Sequence, residues 1–220
     1  MAAVHATKHI ADGYTVGLGS GTTAAYAIQE LGKRIREKKL QIHGIPTSNQ
    51  SFLLAVEYKI PTTSLNEHPR PDVTIDGADQ VDEELNMIKG IGGALAREKI
   101  VAFASKMNVT VVDETKMTKN LGVNQPIPIE VLPFALSTTI KTLRELDSNP
   151  VLREAKRKLG PVITDNGNFI IDTSFGQIDK PKELNQTLKA IPGIVETGLF
   201  VGMANIVYIG GRETVKKLER

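Results

Sequence analysis

The chain has 220 residues, of which 40% are apolar and 24% charged, which is typical of a soluble globular protein with a substantial core. Its net charge of +2, from 27 basic and 25 acidic residues, gives no indication of nucleic-acid or membrane binding, although a local cluster of lysines could bind a small anion. It contains no cysteine, which excludes disulfides, thiolate catalysis and cysteine-ligated zinc.

The N-terminal segment from Ala2 to Ala11 is predicted to form a short helix that ends at a turn, Asp12-Gly13. His5 and His9 have the i, i+4 spacing of a metal-binding pair, but no third ligand is near them, and a solvent-facing helix surface is the simpler interpretation. The segment lacks the apolar run of a signal peptide, and no segment approaches the roughly 20 apolar residues of a membrane span. We therefore expect a cytoplasmic protein.

A predicted strand, Tyr14 to Leu18, leads into a glycine-rich turn, Gly19-Ser20-Gly21-Thr22-Thr23, and then into a helix from Thr22 to about Lys38. This arrangement directs backbone N–H groups and a helix dipole towards an anion, and the three hydroxyl groups add further donors. We expect the turn to bind a terminal phosphate.

Two familiar nucleotide-binding motifs fit this turn poorly. It lacks the Lys of a Walker loop, and Thr22 occupies the position of the third glycine of a dinucleotide fingerprint. The acidic residue expected after the second strand of a dinucleotide-binding unit is also missing. A turn that only allows the strand and the helix to pack closely remains the structural alternative.

The next elements alternate between strand and helix. They are a strand from Gln41 to Pro46, a helix capped by Thr47-Ser48-Asn49 and ending near Tyr58, a short strand from Pro61 to Leu65, and a strand over Val73 to Ile75. This alternation predicts an α/β fold with a doubly wound, mostly parallel sheet.

Two carboxylates, Asp76 and Asp79, follow this last strand in the segment Asp76-Gly77-Ala78-Asp79. Ligands of open α/β sheets bind outside the carboxyl ends of the strands, and a buried strand has no structural need for two acids at its end. Lys89, a glycine-rich turn at Gly90-Ile91-Gly92-Gly93, and Glu98 come shortly afterwards, beyond a predicted loop from Val81 to Asn86. Together these residues form an acid–base set without a metal-ligand pattern, and we interpret them as a catalytic site.

The helix predicted from Ala94 to Ser105 is apolar almost all round, which is typical of a buried helix. Glu98 lies in an apolar arc of this helix, so burial should raise its pKa, as a general base requires. A structural ion pair with a distant Lys or Arg is the alternative. Lys116 follows the next predicted strand, Asn108 to Asp113, and either contacts the phosphate or is a solvated surface charge.

The character of the chain changes near residue 127. A strand from Ile127 to Val131, a helix after Pro133, strands near Val151 to Ala155 and Asn168 to Asp172, a helix from Pro181 to Ala190 and a strand from Ile194 to Glu196 give the order β-α-β-β-α-β. A hairpin turn is predicted at Asp165-Asn166-Gly167-Asn168.

This order predicts a small, inserted α+β domain of the ferredoxin-like type over residues 127–202. The larger domain then comprises residues 1–126 and 203–220, and it ends with a strand from Ile206 to Ile209 and a helix from Glu213 to Leu218.

These motifs closely resemble the A-type ribose-5-phosphate isomerase family. The resemblance covers nearly the whole chain, in the order Gly19-Ser20-Gly21-Thr22-Thr23-Ala24, Asp76-Gly77-Ala78-Asp79, Lys89-Gly90-Ile91-Gly92-Gly93-Ala94-Leu95, Arg97-Glu98-Lys99, Pro128-Ile129-Glu130-Val131, Pro161 to Asn168 and Ile191-Pro192-Gly193. It implies a Rossmann-like domain with a smaller α+β domain, a homodimer or homotetramer, and neither metal nor organic cofactor.

The resemblance also implies roles for individual residues. Glu98 would be the base that moves a proton between C1 and C2 of an open-chain sugar, and Lys89 with the N–H groups of Gly90, Ile91 and Gly92 would stabilise the enediolate. Asp76 and Asp79 would hold the sugar hydroxyls. The phosphate would bind at Ser20, Gly21, Thr22, Thr23 and Lys116.

The chain departs from the family pattern in the glycine-rich turn, where the family commonly has Thr-Gly-Ser-Thr and this chain has Ser20-Gly21-Thr22-Thr23. It also has Gln80 and Ile91 where the family commonly has Glu and Gly. Two other functions fit the sequence less well. A non-catalytic sugar-phosphate sensor is disfavoured by the presence of Glu98 and by the lack of a DNA-binding segment. A dinucleotide-dependent oxidoreductase is disfavoured by Thr22 and by the missing acid after the second strand.

Overall fold

The computed structural model describes all 220 residues as six α-helices and thirteen strands. The helices are α1 Ala2–Thr7, α2 Thr22–Lys38, α3 Asn49–Glu57, α4 Leu95–Ala104, α5 Leu136–Glu145 and α6 Pro181–Lys189. The strands are β1 Thr15–Leu18, β2 His43–Pro46, β3 Val73–Asp76, β4 Gln80–Val81, β5 Met87–Ile88, β6 Met107–Asp113, β7 Ile127–Val131, β8 Asn149–Leu152, β9 Phe169–Ser174, β10 Ile194–Thr197, β11 Leu199–Phe200, β12 Ile206–Gly210 and β13 Val215–Glu219.

The chain divides into two compact units. The first comprises residues 1–78, 97–117 and 203–220, and the second comprises residues 79–96 and 118–202. The second unit therefore includes residues 79–96 and 118–126 in addition to the segment 127–202 that the sequence indicated. Because compactness does not test whether a segment folds by itself, the predicted domain boundaries stay a prediction.

The first unit is built on a six-stranded sheet in the order β13-β12-β6-β3-β1-β2. Five of these strands are parallel, and β13 pairs antiparallel with β12 at the edge. Apolar side chains of β1, β3 and β6 pack against α1 and α2 in one core. On the opposite face, a Cβ on Gly17 would lie only 2.7 Å from Val101 of α4, so the glycine lets that helix approach the sheet closely. Helices on both faces confirm the doubly wound prediction.

The second unit contains a four-stranded antiparallel sheet in the order β10-β7-β9-β8. With α5 after β7 and α6 after β9, the chain order β-α-β-β-α-β is that of the predicted ferredoxin-like unit. The core of this unit lies under the helices and includes Ile129, Leu143, Ile171 and Leu188. A separate three-stranded sheet has the order β11-β5-β4.

Two predictions of secondary structure near the sheet edge were wrong. The helix predicted from Glu213 to Leu218 is the strand β13, because pairing with β12 along five residues outweighs the helix propensity of a short Lys- and Glu-rich segment. The strand predicted from Pro61 to Leu65 is reduced to one bridge between Thr62 and Gly44. Pro61 lacks an N–H group to donate to a ladder.

One further prediction is confirmed over most of its length, and another needs correction. The region predicted as a loop from Val81 to Asn86 begins in β4 and ends just before β5, so it is largely the connection of a small hairpin. The helix α4 is not buried all round, since Ile100 is 54% and Phe103 84% exposed. Only one side of a helix can face the sheet in a layered fold, so apolar residues on the other side form an exposed patch.

Candidate active site

The first group of predicted residues lies at the carboxyl ends of β1 and β3, where the order of strands in the sheet of the first unit reverses. From β1 the chain continues to β2 on one side of the sheet, and from β3 it continues to β6 on the other. The carboxyl ends of β1 and β3 thus mark the switch point, which is the usual ligand position in an open α/β sheet. The glycine-rich turn follows β1, and Asp76 is the last residue of β3.

Asp76 is tied to the glycine-rich turn. Its side chain is buried, and Oδ1 accepts hydrogen bonds from the N–H groups of Ser20, at 3.0 Å, and Gly77, at 2.7 Å. A Cβ on Gly19 would lie 2.3 Å from the same oxygen, so this position has no room for a side chain. Asp76 therefore shapes the predicted phosphate-binding turn in addition to any contact it makes with a substrate.

Hydroxyl groups from a third strand support the turn. The Ser20 hydroxyl lies 2.9 Å from that of Thr47 and 2.6 Å from that of Ser48, both of which follow β2. Ser48 also caps α3 by accepting the Ser51 N–H, as the sequence predicted. A role for Thr47 and Ser48 at the site was not predicted. The available signal was that polar residues at the end of a neighbouring parallel strand meet at the same edge.

The turn leads into the N-terminus of α2, a helix of 17 residues. Gly21 precedes it with a φ of 89°, a conformation that favours glycine, and its N–H donates to Gln50 at 2.8 Å. Thr22 is exposed in the first turn. The N–H groups and the dipole of this terminus suit an anion, as the motif predicted.

Glu98 lies in the first turn of α4 and is only 5% exposed. The other end of this helix is fixed to β3, because the Ser105 hydroxyl lies 2.6 Å from that of Thr74. The helix α4 connects the parallel strands β3 and β6, so it runs in the direction opposite to them. At about 1.5 Å of rise per residue, Glu98 therefore lies about 10 Å from Ser105, towards the edge of the sheet where the carboxyl ends of the strands lie. Asp76 lies about 7 Å beyond Thr74 in the same direction. The fold thus places both carboxylates towards one edge of the sheet.

Lys116 also follows a strand that ends at this edge. It closes a 3-10 turn, Glu114–Lys116, directly after β6, and is partly exposed. The turn is held by Asp113, whose carboxylate accepts the N–H of Thr115 at 2.9 Å and its hydroxyl proton. These bonds from Thr115 keep the pKa of Asp113 below its ordinary value, so the cap stays ionised at neutral pH.

The second group of predicted residues lies in the second unit. Asp79 donates its N–H to the carbonyl of Ile88, at 2.8 Å, and its Oδ2 accepts the N–H of Ile91, at 2.9 Å. The carboxylate thus holds the turn that begins at Gly90. Gly90 and Gly93 have φ values of 111° and 80°, which the glycines permit without strain.

Lys89 is 5% exposed, an unusual burial for a lysine. Its Nζ lies 5.1 Å from the ring centroid of Phe200, a distance typical of a cation–π contact. Its N–H donates to the carbonyl of Gly198 at 2.9 Å, and a Cβ on Gly198 would lie 2.3 Å from the Lys89 carbonyl oxygen. Phe200 was not among the residues predicted from the sequence, because a contact across two strands leaves no local motif.

No group of three or more His, Cys, Asp or Glu side chains is arranged to hold a metal ion. None of the helices is long and apolar enough to cross a membrane.

Comparison with known proteins identifies the family. The model of ribose 5-phosphate isomerase A (phosphoriboisomerase A) matches residues 43–214. A relative from Methanosarcina acetivorans named ribose-5-phosphate isomerase A is 48% identical over 217 residues, which cover 99% of this chain and 92% of the relative. The chain belongs to the ribose 5-phosphate isomerase A family. The resemblance inferred from the motifs is thereby confirmed.

Solved structures of this family agree with the fold. Ribose 5-phosphate isomerase A from Methanocaldococcus jannaschii is 45% identical and superposes with a TM-score of 0.96, over 100% of this chain and 96% of that one. A D-ribose-5-phosphate isomerase in complex with phospho-erythronic acid is 46% identical, with a TM-score of 0.97 and the same coverage of 100% and 96%.

One departure from the ribose 5-phosphate isomerase A pattern has a structural explanation. The Gln80 carboxamide donates to the carbonyl of Val123 at 2.8 Å and accepts the N–H of Gly122 at 2.9 Å. A carboxylate at position 80 could not donate to a carbonyl. The Gln therefore fastens β4 to the loop at residues 122–123.

Proposed function

We propose that the protein interconverts D-ribose 5-phosphate and D-ribulose 5-phosphate through an enediolate, as an aldose–ketose isomerase of the non-oxidative pentose phosphate pathway. The observation that carries the proposal is the buried carboxylate of Glu98, set towards the same sheet edge as Asp76 and the glycine-rich turn, in a chain of the ribose 5-phosphate isomerase A family. A buried acid is costly in a purely structural role.

Glu98 is the proposed proton-transfer group. In the aldose-to-ketose direction, its carboxylate takes the proton from C2 of the open-chain aldose, and the electron pair moves into a C1–C2 double bond. The C1 carbonyl electrons move onto O1, which takes the hydroxyl proton of O2. The same carboxyl group then returns its proton to C1 as the electrons on O2 form the ketose carbonyl at C2. One carboxylate can serve as both base and acid because the proton only moves between adjacent carbons.

Lys89 and the N–H groups of the turn Gly90, Ile91 and Gly92 are proposed to stabilise the negative charge on the enediolate oxygens. The N–H of Ile91 donates to Asp79, so the next N–H, that of Gly92, is the backbone donor that we assign to the developing charge. Because Lys89 is buried, its charge is poorly screened by water and acts strongly on a nearby anion.

Asp76 and Asp79 are proposed to hold the hydroxyl groups of the sugar, and one of them assists ring opening. The hydroxyl and N–H groups of Ser20, Gly21, Thr22 and Thr23, together with Lys116, are proposed to bind the distal phosphate. Gly77 and Ala78 would complete the substrate-binding segment that follows β3. Binding energy from the phosphate, which does not react, would orient C1 and C2.

The first test compares the wild type with Glu98→Gln in ketose formation from ribose 5-phosphate, in the presence of EDTA. The substitution should lower kcat by a factor of at least ~100 and leave KM nearly unchanged, because it removes the base and keeps the shape. A variant with most of its activity would place the base elsewhere. An inactive wild type that still binds the sugar phosphate would indicate the sensor, and activity that EDTA abolishes and zinc or magnesium restores would contradict a metal-free mechanism.

We also propose that the protein is a cytoplasmic homodimer or homotetramer. Phosphorylated sugars do not cross membranes freely, so the enzyme must share a compartment with them. Exposed apolar residues on single helices support self-association, namely Phe52, Leu53 and Val56 on α3 and Ile100 and Phe103 on α4.

A further inference from the structure

One arginine outside the predicted site contacts the backbone of the turn that follows Lys89. Arg153 is the residue directly after β8, and its Nη1 donates to the carbonyl oxygens of Gly90, at 3.0 Å, and Ile91, at 2.9 Å. A single nitrogen thus holds two successive carbonyl groups of the turn. The Arg153 side chain is 16% exposed and therefore largely buried.

Holding these carbonyls also fixes the N–H groups of the turn. In a trans peptide the C=O of one residue and the N–H of the next lie in one plane and point in opposite directions. The Gly90 carbonyl therefore sets the direction of the Ile91 N–H, which donates to Asp79 at 2.9 Å. In the same way, the Ile91 carbonyl sets the direction of the Gly92 N–H, which points away from Arg153.

Arg153 is itself held by Asp172 on β9. Its Nε donates to Oδ2 at 2.7 Å, and its Nη2 donates to Oδ1 of the same carboxylate. The pair is therefore bidentate, and it locks the plane of the guanidinium while Nη1 remains directed at the turn. A lysine could supply the charge but could not reproduce this planar fork.

Two other hydrogen bonds hold the turn, since the Gly93 N–H donates to the Gly90 carbonyl at 3.0 Å and the Ile91 N–H donates to Asp79 at 2.9 Å. Neither of them orients the Ile91 carbonyl, which Arg153 holds. Gly90, Gly92 and Gly93 have no side chains, and glycine has the greatest backbone freedom of any residue. The turn lies on the sheet of the second unit, since Cβ atoms on Gly90 and Gly93 would lie 3.2 Å from Pro128 and Ile170 respectively. These apolar contacts limit where the turn lies, but they do not orient its peptide groups. Hydrogen bonds to the carbonyl oxygens orient the peptide groups, because they are directional.

We propose that Arg153, oriented by Asp172, is a positioning residue that holds the turn and aims its Gly92 N–H at the enediolate. This inference rests on the proposed isomerase function, because Arg153 can assist catalysis in this way only if the turn stabilises the enediolate. Arg153 touches no reacting atom and acts through the backbone.

The test uses Arg153→Met, which keeps most of the side-chain stem and removes all donors, with Asp172→Asn as a second variant that releases the guanidinium from its partner. Arg153→Met should lower kcat by about 10- to 100-fold, with a KM change of less than about threefold, because misaimed donors weaken the transition state more than the bound substrate. Asp172→Asn should lower kcat less. Inhibition by phospho-erythronic acid, whose carboxylate stands in for the enediolate oxygens, should weaken in parallel with kcat.

Lys189→Met is the matched control. Lys189 pairs with Glu196, at 3.1 Å, and with the carbonyl of Val195, at 2.6 Å, in the same unit. Its loss removes a comparable ion pair and should leave kcat and the inhibition constant unchanged. Thermal unfolding of each variant, followed by circular dichroism, corrects for any loss of folded protein.

The results distinguish a failure of the proposed function from a failure of the positioning role of Arg153. An inactive wild type would refute the proposed function itself, and a fully active Glu98→Gln would place its base elsewhere. An active wild type and an inactive Glu98→Gln, with Arg153→Met at the wild-type kcat, would refute only the positioning role. If Arg153→Met does not fold, Asp172→Asn tests the positioning role instead. An unchanged kcat and an unchanged inhibition constant in Asp172→Asn would also refute that role. Partial recovery of kcat in Arg153→Ala on adding millimolar guanidinium would support it.

Discussion

Several of the predicted site residues have a structural role as well as the proposed functional one. Asp76 accepts two backbone N–H groups that shape the glycine-rich turn, and it is also proposed to hold a sugar hydroxyl. Ser48 caps α3 and also supports the Ser20 hydroxyl. Asp79 fixes the Ile91 N–H while it is proposed to contact the sugar. Substituting any of these residues would therefore change substrate contacts and local geometry together, which makes their individual roles hard to separate by mutation.

Lys116 is a cleaner test of phosphate binding, because no hydrogen bond within the turn that it closes depends on its amino group. Lys116→Ala should raise KM for ribose 5-phosphate by about tenfold or more and change kcat less, since a charge-assisted bond to the phosphate would be lost. Lys119→Ala, which removes an exposed lysine outside the proposed site, is the control. An unchanged KM in Lys116→Ala would remove this residue from the phosphate site.

Among the elements, the connection from β1 through the turn to α2 depends most on a single residue. A Cβ on Gly19 would lie 2.3 Å from Oδ1 of Asp76 and 2.5 Å from its Cα, so the clash involves backbone as well as side chain. No rotation of the Asp76 side chain alone can relieve it. The close approach of the turn to β3 therefore requires glycine at this position.

Gly19→Ala should destabilise the protein by about 1–3 kcal/mol, the usual cost of overpacking, and should raise KM because the turn is displaced. Gly77→Ala is the matched control for stability, because a Cβ there would meet its nearest atom at an ordinary 3.8 Å. Urea unfolding of both variants measures the difference. Equal stability of the two variants would show that the turn can move at little cost.

The elements predicted wrongly have a common cause. The C-terminal segment at Val215–Glu219 carries Lys, Leu and Glu, which favour helix locally, yet it pairs with β12. The apolar residues Ile100 and Phe103 made α4 resemble a helix buried on all sides, although both are exposed. For β13 the deciding partner is β12, the preceding strand of the same hairpin, and for α4 it is the sheet, which covers only one side of the helix; the composition of the segment alone identifies neither.

For the whole molecule, the exposed apolar residues of α3 and α4 indicate self-association. We expect sedimentation equilibrium to give two or four times the chain mass of 23.9 kDa at micromolar concentration. Several exposed apolar side chains on one helix, such as Phe52, Leu53 and Val56 on α3, favour a contact with another subunit. A mass of 23.9 kDa across that concentration range would contradict the proposed dimer or tetramer.

The sequence by itself determined the doubly wound sheet, the ferredoxin-like unit and the family, because these follow from strand–helix alternation and from short motifs. It also located Asp76, Glu98 and Lys89, since charged residues at strand ends or within apolar segments stand out locally. The roles assigned to them stay predictions.

Only the tertiary structure showed the contacts that fix the geometry of the site. The bonds from Arg153 to the turn at Gly90 and Ile91 join residues more than 60 positions apart, with separations of 63 and 62. The position of Phe200 beside Lys89 and of the Thr47 and Ser48 hydroxyls beside Ser20 is likewise set by which strands become neighbours. The order and register of the strands depend on the packing of the whole chain, so such contacts leave no signal in any single segment.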